Sequence, residues 1–383
     1  MQFRFAVLAF AAAALAACDR DTDLTSPGAS AENSRSADAD VDRGEPAGPL
    51  AVYTITNQVS GNEVAVFARG VDGRLDPAGR FATGGTGTGA GLGSQGAVIL
   101  SADGRRLFAV NAGSNDVSVF GVEANGLALL SRTPSGGTRP ISLTVQGRVL
   151  YVLNAGGEGN ISGFSIRDGG QLESIAGSTR ALSGAASDPA EVAFSPDGRR
   201  LVVTEKATNL IDVFPVDDRG LAGTRASFPS SGATPFGFAF GSSARMVVSE
   251  AGGSGSASSY EVERDGGFAV VSGSVPTHQG APCWVVITRD RRFVYTGNGG
   301  GSITGFAFGS DGTMQGLNAD GATALFDTGI NDIALSGSSR YLYALSVGAT
   351  PAVHAFRVEP DGQLEPLGTV GGLPAGDGGL AVR

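Results

Sequence analysis

Lysine is almost missing from this chain: of its 27 basic residues only Lys206 is a lysine, and the rest of the positive charge is arginine. Cysteine occurs twice, at Cys18 and Cys283, which is too little for a disulfide framework. Histidine also occurs twice, at His278 and His354, with no His-x-His pair and no Asp-x-Asp-x-Asp-Gly loop beside it, so no metal ion and no other cofactor is expected. Charged residues make up only 17%, and acids outnumber bases to leave a formal charge of -10. That sign repels phosphate backbones and removes nucleic acid from the expected partners. After residue 17 no apolar run reaches the roughly 18 residues that cross a bilayer as a helix. What the chain has in quantity is glycine, 61 of 383 residues, together with 41% hydrophobic residues. Such a composition builds a core and many turns, and it is not that of a disordered chain.

The first residues, MQFRFAVLAFAAAALAAC, carry one early positive charge at Arg4, an apolar stretch from Phe5 to Leu15 and then small residues. Residues 1–17 therefore read as a secretory signal. Leu15-Ala16-Ala17-Cys18 resembles a bacterial lipobox, which implies cleavage before Cys18 and acylation of that residue. Several acyl chains on one residue hold a protein stably at a membrane surface. The expected protein is exported, lipid-anchored and facing the periplasm or the cell exterior. Residues 18–49 lack aromatic side chains and are rich in Ser, Ala, Gly, Pro and Asp, the composition of a self-repelling tether.

Residues 50–383 repeat one unit. A turn of the Asp-Gly kind recurs at Asp72-Gly73, Asn125-Gly126, Asp168-Gly169, Asp218-Arg219-Gly220, Asp265-Gly266, Asp311-Gly312 and Asp361-Gly362, about 50 residues apart each time. Each follows a short strand ending in an aromatic residue: Phe67, Phe120, Phe164, Phe214, Tyr260, Phe306 and Phe356. Asp-Gly between apolar alternations is a strong hairpin signal, because both residues tolerate positive φ. A second β-branched strand precedes each copy and ends at Asn57, Asn111, Asn154, Glu205, Glu250, Asn298 or Ser346. Before it lies a further apolar strand, and no sustained helical period appears anywhere. Four strands repeated seven times predict an all-β, seven-bladed β-propeller of four-stranded blades. The chain begins this unit on a second strand and finishes on Gly379-Leu380-Ala381-Val382, so the C-terminal strand is expected to close the first blade.

In such a ring the innermost strand lines the channel, and its start shares one face with the end of the second strand. The aligned inner positions are Ala97, Ser142, Glu191, Gly237, Trp284, Asp332 and Gly379. What all blades share is explained by packing, so departures from the repeat are the candidates for function. Glu205 is the candidate base, with His278 and Lys206 assisting it. Glu191, Glu250, Trp284, Asp332, Arg139 and Asn298 are candidates for holding a substrate at the mouth. A carboxylate can act as acid or base where burial and like charges raise its pKa. The same carboxylates could instead accept backbone N–H groups in the loops, and the recurring Asn residues could cap turns. His354 on an outer strand and Cys283 between Pro282 and Trp284 read as packing residues.

The segments Gly104-Arg105-Arg106-Leu107-Phe108-Ala109-Val110-Asn111, Ser195-Pro196-Asp197-Gly198-Arg199-Arg200-Leu201-Val202-Val203-Thr204-Glu205 and Ser338-Ser339-Arg340-Tyr341-Leu342-Tyr343-Ala344-Leu345-Ser346 resemble the lactonase family of seven-bladed propellers. That family includes 6-phosphogluconolactonase and 3-carboxy-cis,cis-muconate lactonizing enzyme. The resemblance implies a hydrolase or cyclase acting on a small lactone or sugar acid at the funnel mouth. In the family a Pro-Arg-His segment begins one inner strand, an Asn-Glu pair ends the next strand, and a second arginine follows in the succeeding blade. Here Pro189-Ala190-Glu191 stands in the first place, Thr204-Glu205 resembles the pair, and Glu250-Ala251 occupies the place of the arginine. The resemblance thus implies a relative that kept the scaffold and changed the site, and fold alone does not assign activity. The alternative is a non-catalytic, membrane-tethered propeller that binds an envelope protein or a small ligand. Either form is expected as a monomer.

Overall fold

A computed structural model of the chain describes residues 48–263 and 266–383. The signal segment, Cys18 and nearly all of the tether lie outside them. The described residues form seven antiparallel sheets arranged as a closed ring, and no helix is found among them. Blades 2 to 7 follow in chain order, each from an inner strand outward. Blade 1 is completed by the C-terminal strand Gly378–Val382, which pairs with Ala51–Ile55 through Val52 and Val382. Closure by the last strand is thus as the repeat predicts. Two blades carry one extra short strand at their outer edge, Arg180–Ala181 and Ala324–Leu325.

The inner strands of blades 2 to 7 are Val98–Leu100, Pro140–Gln146, Pro189–Phe194, Pro235–Ser242, Pro282–Ile287 and Ile330–Leu335. Second strands are buried along almost their whole length, because each blade is covered on both faces by its neighbours. That is why they read as continuous β-branched and aromatic runs rather than as alternations. The repeated aromatic of the third strand is buried in every blade, from Phe214 at 0% exposure to Phe356 at 7%. Each such ring contributes on the order of 2 to 3 kcal/mol by burial.

The Asp-Gly turns have a second task. Tyr151, Tyr295 and Tyr343 donate their hydroxyls to the carbonyls of Gly220, Gly362 and Gly73, each in the turn of the following blade, at 2.8, 2.8 and 2.9 Å. These glycines have φ near +80° to +90°, and a Cβ on Gly73 or Gly362 would collide with Tyr341 or Phe293. Glycine therefore allows both the turn and the close approach of blade to blade. In blade 3 the glycine with positive φ is Gly170, one residue later than the repeat suggests.

Candidate active site at the plugged mouth

Inner strands face each other around the axis, and their N–H groups toward the next blade need acceptors. The third residue of the inner strand supplies them. Ser142 Oγ accepts from Val192 N at 3.1 Å, Glu191 Oε2 from Phe238 N at 2.7 Å, and Asp332 Oδ2 from Leu380 N at 2.9 Å. Blade 5 has Gly237 at this place and no side chain to offer. The gap is filled from elsewhere: Gln95, on the segment leading into blade 2, accepts from Val285 N and donates to Val285 O, both at 2.9 Å. A Cβ on Gly237 would collide with the Gln95 side-chain oxygen.

Leu92–Gly96 therefore crosses the mouth as a plug. Trp284 Nε1 donates to Ser94 O at 3.0 Å, Ser94 Oγ donates to Ile141 O at 2.8 Å, and Leu143 N donates to Gly96 O at 2.9 Å. Blades 3 and 6 are so tied together over the axis. Gln95→Ala should lower stability by about 2 kcal/mol, one paired acceptor and donor being lost. It should also speed hydrogen exchange at the Val285 amide, and unchanged protection there would show that the amide clamp is not what seals the axis.

The structure separates the candidates of the sequence into four places. Glu205, Glu250 and Asn298 share one role and lie away from the mouth. All three are fully buried at the ends of second strands. Glu205 accepts from Ser183 N at 2.9 Å and from the hydroxyls of Ser183 and Thr208. Glu250 accepts from Gly232 N and from the hydroxyls of Ser230, Ser256, Ser258 and Ser274. Asn298 joins Ser302 and Thr304. The sequence points to Glu205 as a base at the funnel; in the structure its oxygens are taken up by Ser183 and Thr208. Burial raises the Glu205 carboxyl, hydrogen bonds outweigh that and lower it, and the neighbouring Asp212 is pushed up to about 7, first by burial and then by Glu205.

His278 is exposed in a surface pocket beside Pro276, Thr304, Met314 and Asn318, at the periphery of blades 5 and 6. It is not brought to Lys206. Glu191 and Asp332 line the axial cavity below the plug. Trp284 is 5% exposed beneath the plug and packs edge-on against Phe236, so it is a covered wall rather than an open one.

The mouth itself keeps Lys206 and Arg139. Arg139, Asp188, Thr234 and Ala281 each precede the proline of an inner strand and have φ between 44° and 58°. Their carbonyls accept from Ala155, Lys206, Ala251 and Gly299, so Lys206 sits where the other three blades carry Ala or Gly. Its Nζ donates to Gly93 O at 2.8 Å, lies 3.4 Å from Asp188 Oδ1 and stands 5.0 Å above the Phe236 ring. Burial lowers the Lys206 pKa although Asp188 opposes the shift, and Cys283 and Arg139 lie within electrostatic reach. Asp188 was missed in the sequence although it holds the same rim position as Arg139. Gln95 was missed because it belongs to a glycine-rich connection outside the repeat. Among the described residues no group of His, Cys, Asp and Glu could hold a metal ion.

The family profile described as lactonase, seven-bladed β-propeller, matches residues 52–181, 158–262 and 246–324, more than half of the chain. The chain belongs to this family. Among solved structures, a provisionally assigned 6-phosphogluconolactonase from Bacteroides uniformis is 18% identical, with a TM-score of 0.70 over 88% of this chain and 99% of that one. The periplasmic gluconolactonase of Pseudomonas aeruginosa is 19% identical, with a TM-score of 0.69 over 87% of this chain and 99% of that one. A protein of unknown function from Desulfotomaculum acetoxidans is 16% identical, with a TM-score of 0.67 over 88% and 99%. At these identities the likeness is one of fold.

Proposed function

We propose that this lactonase-family propeller is a hydrolase of small lactones, with its site on the outer side of the plug. The observation that carries the reading is the chain's single lysine, side chain 13% exposed, fixed between Asp188 and the Gly93 carbonyl over an aromatic ring. A buried ammonium aimed at a mouth stabilises the oxygen of a lactone carbonyl as water adds to it. Asp188, about half exposed beside it, takes the proton of that water and returns it to the ring oxygen that leaves. Arg139 on the same rim holds the carboxylate or hydroxyls of a sugar acid. The substrate class rests on the family and on the named gluconolactonase among the similar folds. Export, anchoring through Cys18 and a monomeric state are part of the same proposal.

The test is hydrolysis of glucono-δ-lactone by the purified protein, followed by the release of acid. Lys206→Met and Asp188→Asn should each lower kcat by about a hundredfold or more. Turnover unchanged by both substitutions would remove this mouth from the chemistry. No turnover of any lactone would favour a binding propeller whose mouth the plug keeps shut.

A further inference from the structure

Below the plug the axis continues as a cavity of about 480 Å3, roofed by Gln95 and Gly96. Its far end is formed by partly exposed side chains, among them Leu100, Val145 and Ile287. The volume lies in the range of small-ligand sites. Its walls are aliphatic except for Gln95, Thr144 and two acids, Glu191 and Asp332, carried by blades 4 and 7. No Lys, Arg or His lines it, and the two acids are its only titratable groups.

Asp332 directs both oxygens at backbone donors, Ile333 N at 2.8 Å and Leu380 N at 2.9 Å. Glu191, 7% exposed, directs only Oε2 at Phe238 N and leaves Oε1 without a protein partner. Two acids facing an apolar space without a cation cannot both ionise at ordinary cost. Burial accordingly pushes both carboxyls well above their usual range, and the charge of Asp332 pushes Glu191 further. A positively charged guest would balance the two carboxyls that face this apolar space.

We propose that the axial cavity binds a small primary ammonium on a compact aliphatic body, with its N–H groups on Glu191 Oε1 and Asp332 and its hydrocarbon against the inner-strand side chains. Among the described residues no group of three or more His, Cys, Asp or Glu side chains is placed to hold a metal ion. Binding displaces a proton from the carboxyl pair, which then carries the negative charge that the guest neutralises. The site is separate from the mouth and does not depend on lactone hydrolysis.

Calorimetric titration of the purified protein with cyclohexylammonium, and with neutral cyclohexanol of the same shape, tests this. The amine stays protonated between about pH 6 and pH 8. Its affinity should rise up to about tenfold per pH unit, with a proton released on binding. Cyclohexanol should bind at least about tenfold more weakly. Glu191→Gln keeps an acceptor for Phe238 N and should abolish the pH dependence and most of the affinity. Ala239→Leu fills the cavity wall and should block binding with both acids in place. Equal binding of the alcohol, an affinity independent of pH, full binding by either folded variant, or no binding of the amine would each overturn the proposal.

Discussion

Glu250→Ala is expected to lower the stability of the folded chain by about 4 kcal/mol, the range seen when one member of a buried charged network is removed. Glu250 is fully buried and accepts from five donors on three segments: Gly232 and Ser230 before its blade's inner strand, Ser256 and Ser258 on the third strand, and Ser274 on the outer strand. Deleting it leaves the buried Ser258 hydroxyl and the partly buried Ser230, Gly232 and Ser256 donors without their acceptor, which costs more than the bonds contributed. Glu250→Gln should fall between, because the amide replaces one acceptor with a donor that faces serine hydroxyls. Chemical denaturation with urea measures both, with the slope of the transition reporting any change in the unfolded state. If Glu250→Ala keeps the wild-type midpoint but loses lactone hydrolysis, the carboxylate belongs to the chemistry and its place as a clamp is wrong.

The same residue shows what the sequence could and could not reveal. Seven turns, seven aromatics and seven strand ends were legible because blade packing imposes them at every copy, and the ring with its C-terminal closure followed. Glu205 and Glu250 stood out as departures where four other blades carry Asn and one carries Ser346. The departure is real, but Asn298 and Glu250 solve one problem: both join their strand end to serine or threonine hydroxyls on the next strand. Asn298 donates its Nδ2 to Ser302 and Thr304, whereas the Glu250 carboxylate accepts from the hydroxyls of Ser256 and Ser258 and from Gly232 N. The difference therefore tracks the local supply of hydroxyl groups rather than a task at the axis. A more telling departure was the smallest one. Gly237 leaves a slot in the inner ring, and a distant glutamine fills it. Nothing in the spacing of the repeats links residue 95 to residue 237, since contacts across the axis join blades far apart in sequence. The only trace was the long glycine-rich stretch between the first two blades. Lys206 was legible for the opposite reason: it stands where four other blades carry Ala112, Ala155, Ala251 and Gly299, and it is the only lysine present.

Stability should fall as pH rises from about 5 to about 8, and Asp377 should account for a large part of the fall. This aspartate is fully buried at the start of the last strand, where blades 3 to 6 carry Pro140, Pro189, Pro235 and Pro282. Neither of its carboxyl oxygens has a hydrogen-bond partner, and burial pushes the group up to about 8. The folded chain thus holds this proton more tightly than the unfolded chain, whose aspartates ionise near their usual value of about 3.9. The resulting stability is complete below that value and is lost as pH climbs toward the folded one, at about 1.4 kcal/mol per unit. Asp212, raised to about 7, acts in the same direction. Acids with lowered values, such as Asp103 and Asp197, act oppositely and only in the acid range. Asp377→Asn removes the titrating group and should flatten the profile by close to one proton. Asp377→Pro restores the residue that blades 3 to 6 use and removes the buried carboxyl that lacks a hydrogen-bond partner, so its melting temperature at neutral pH should exceed wild type by several degrees, on the order of 3 kcal/mol. Melting curves at intervals between about pH 5 and pH 8 decide the matter. A wild-type profile that is flat, or that rises across this window, would mean that water or a neighbouring group reaches Asp377 and that its carboxyl titrates as an ordinary acid.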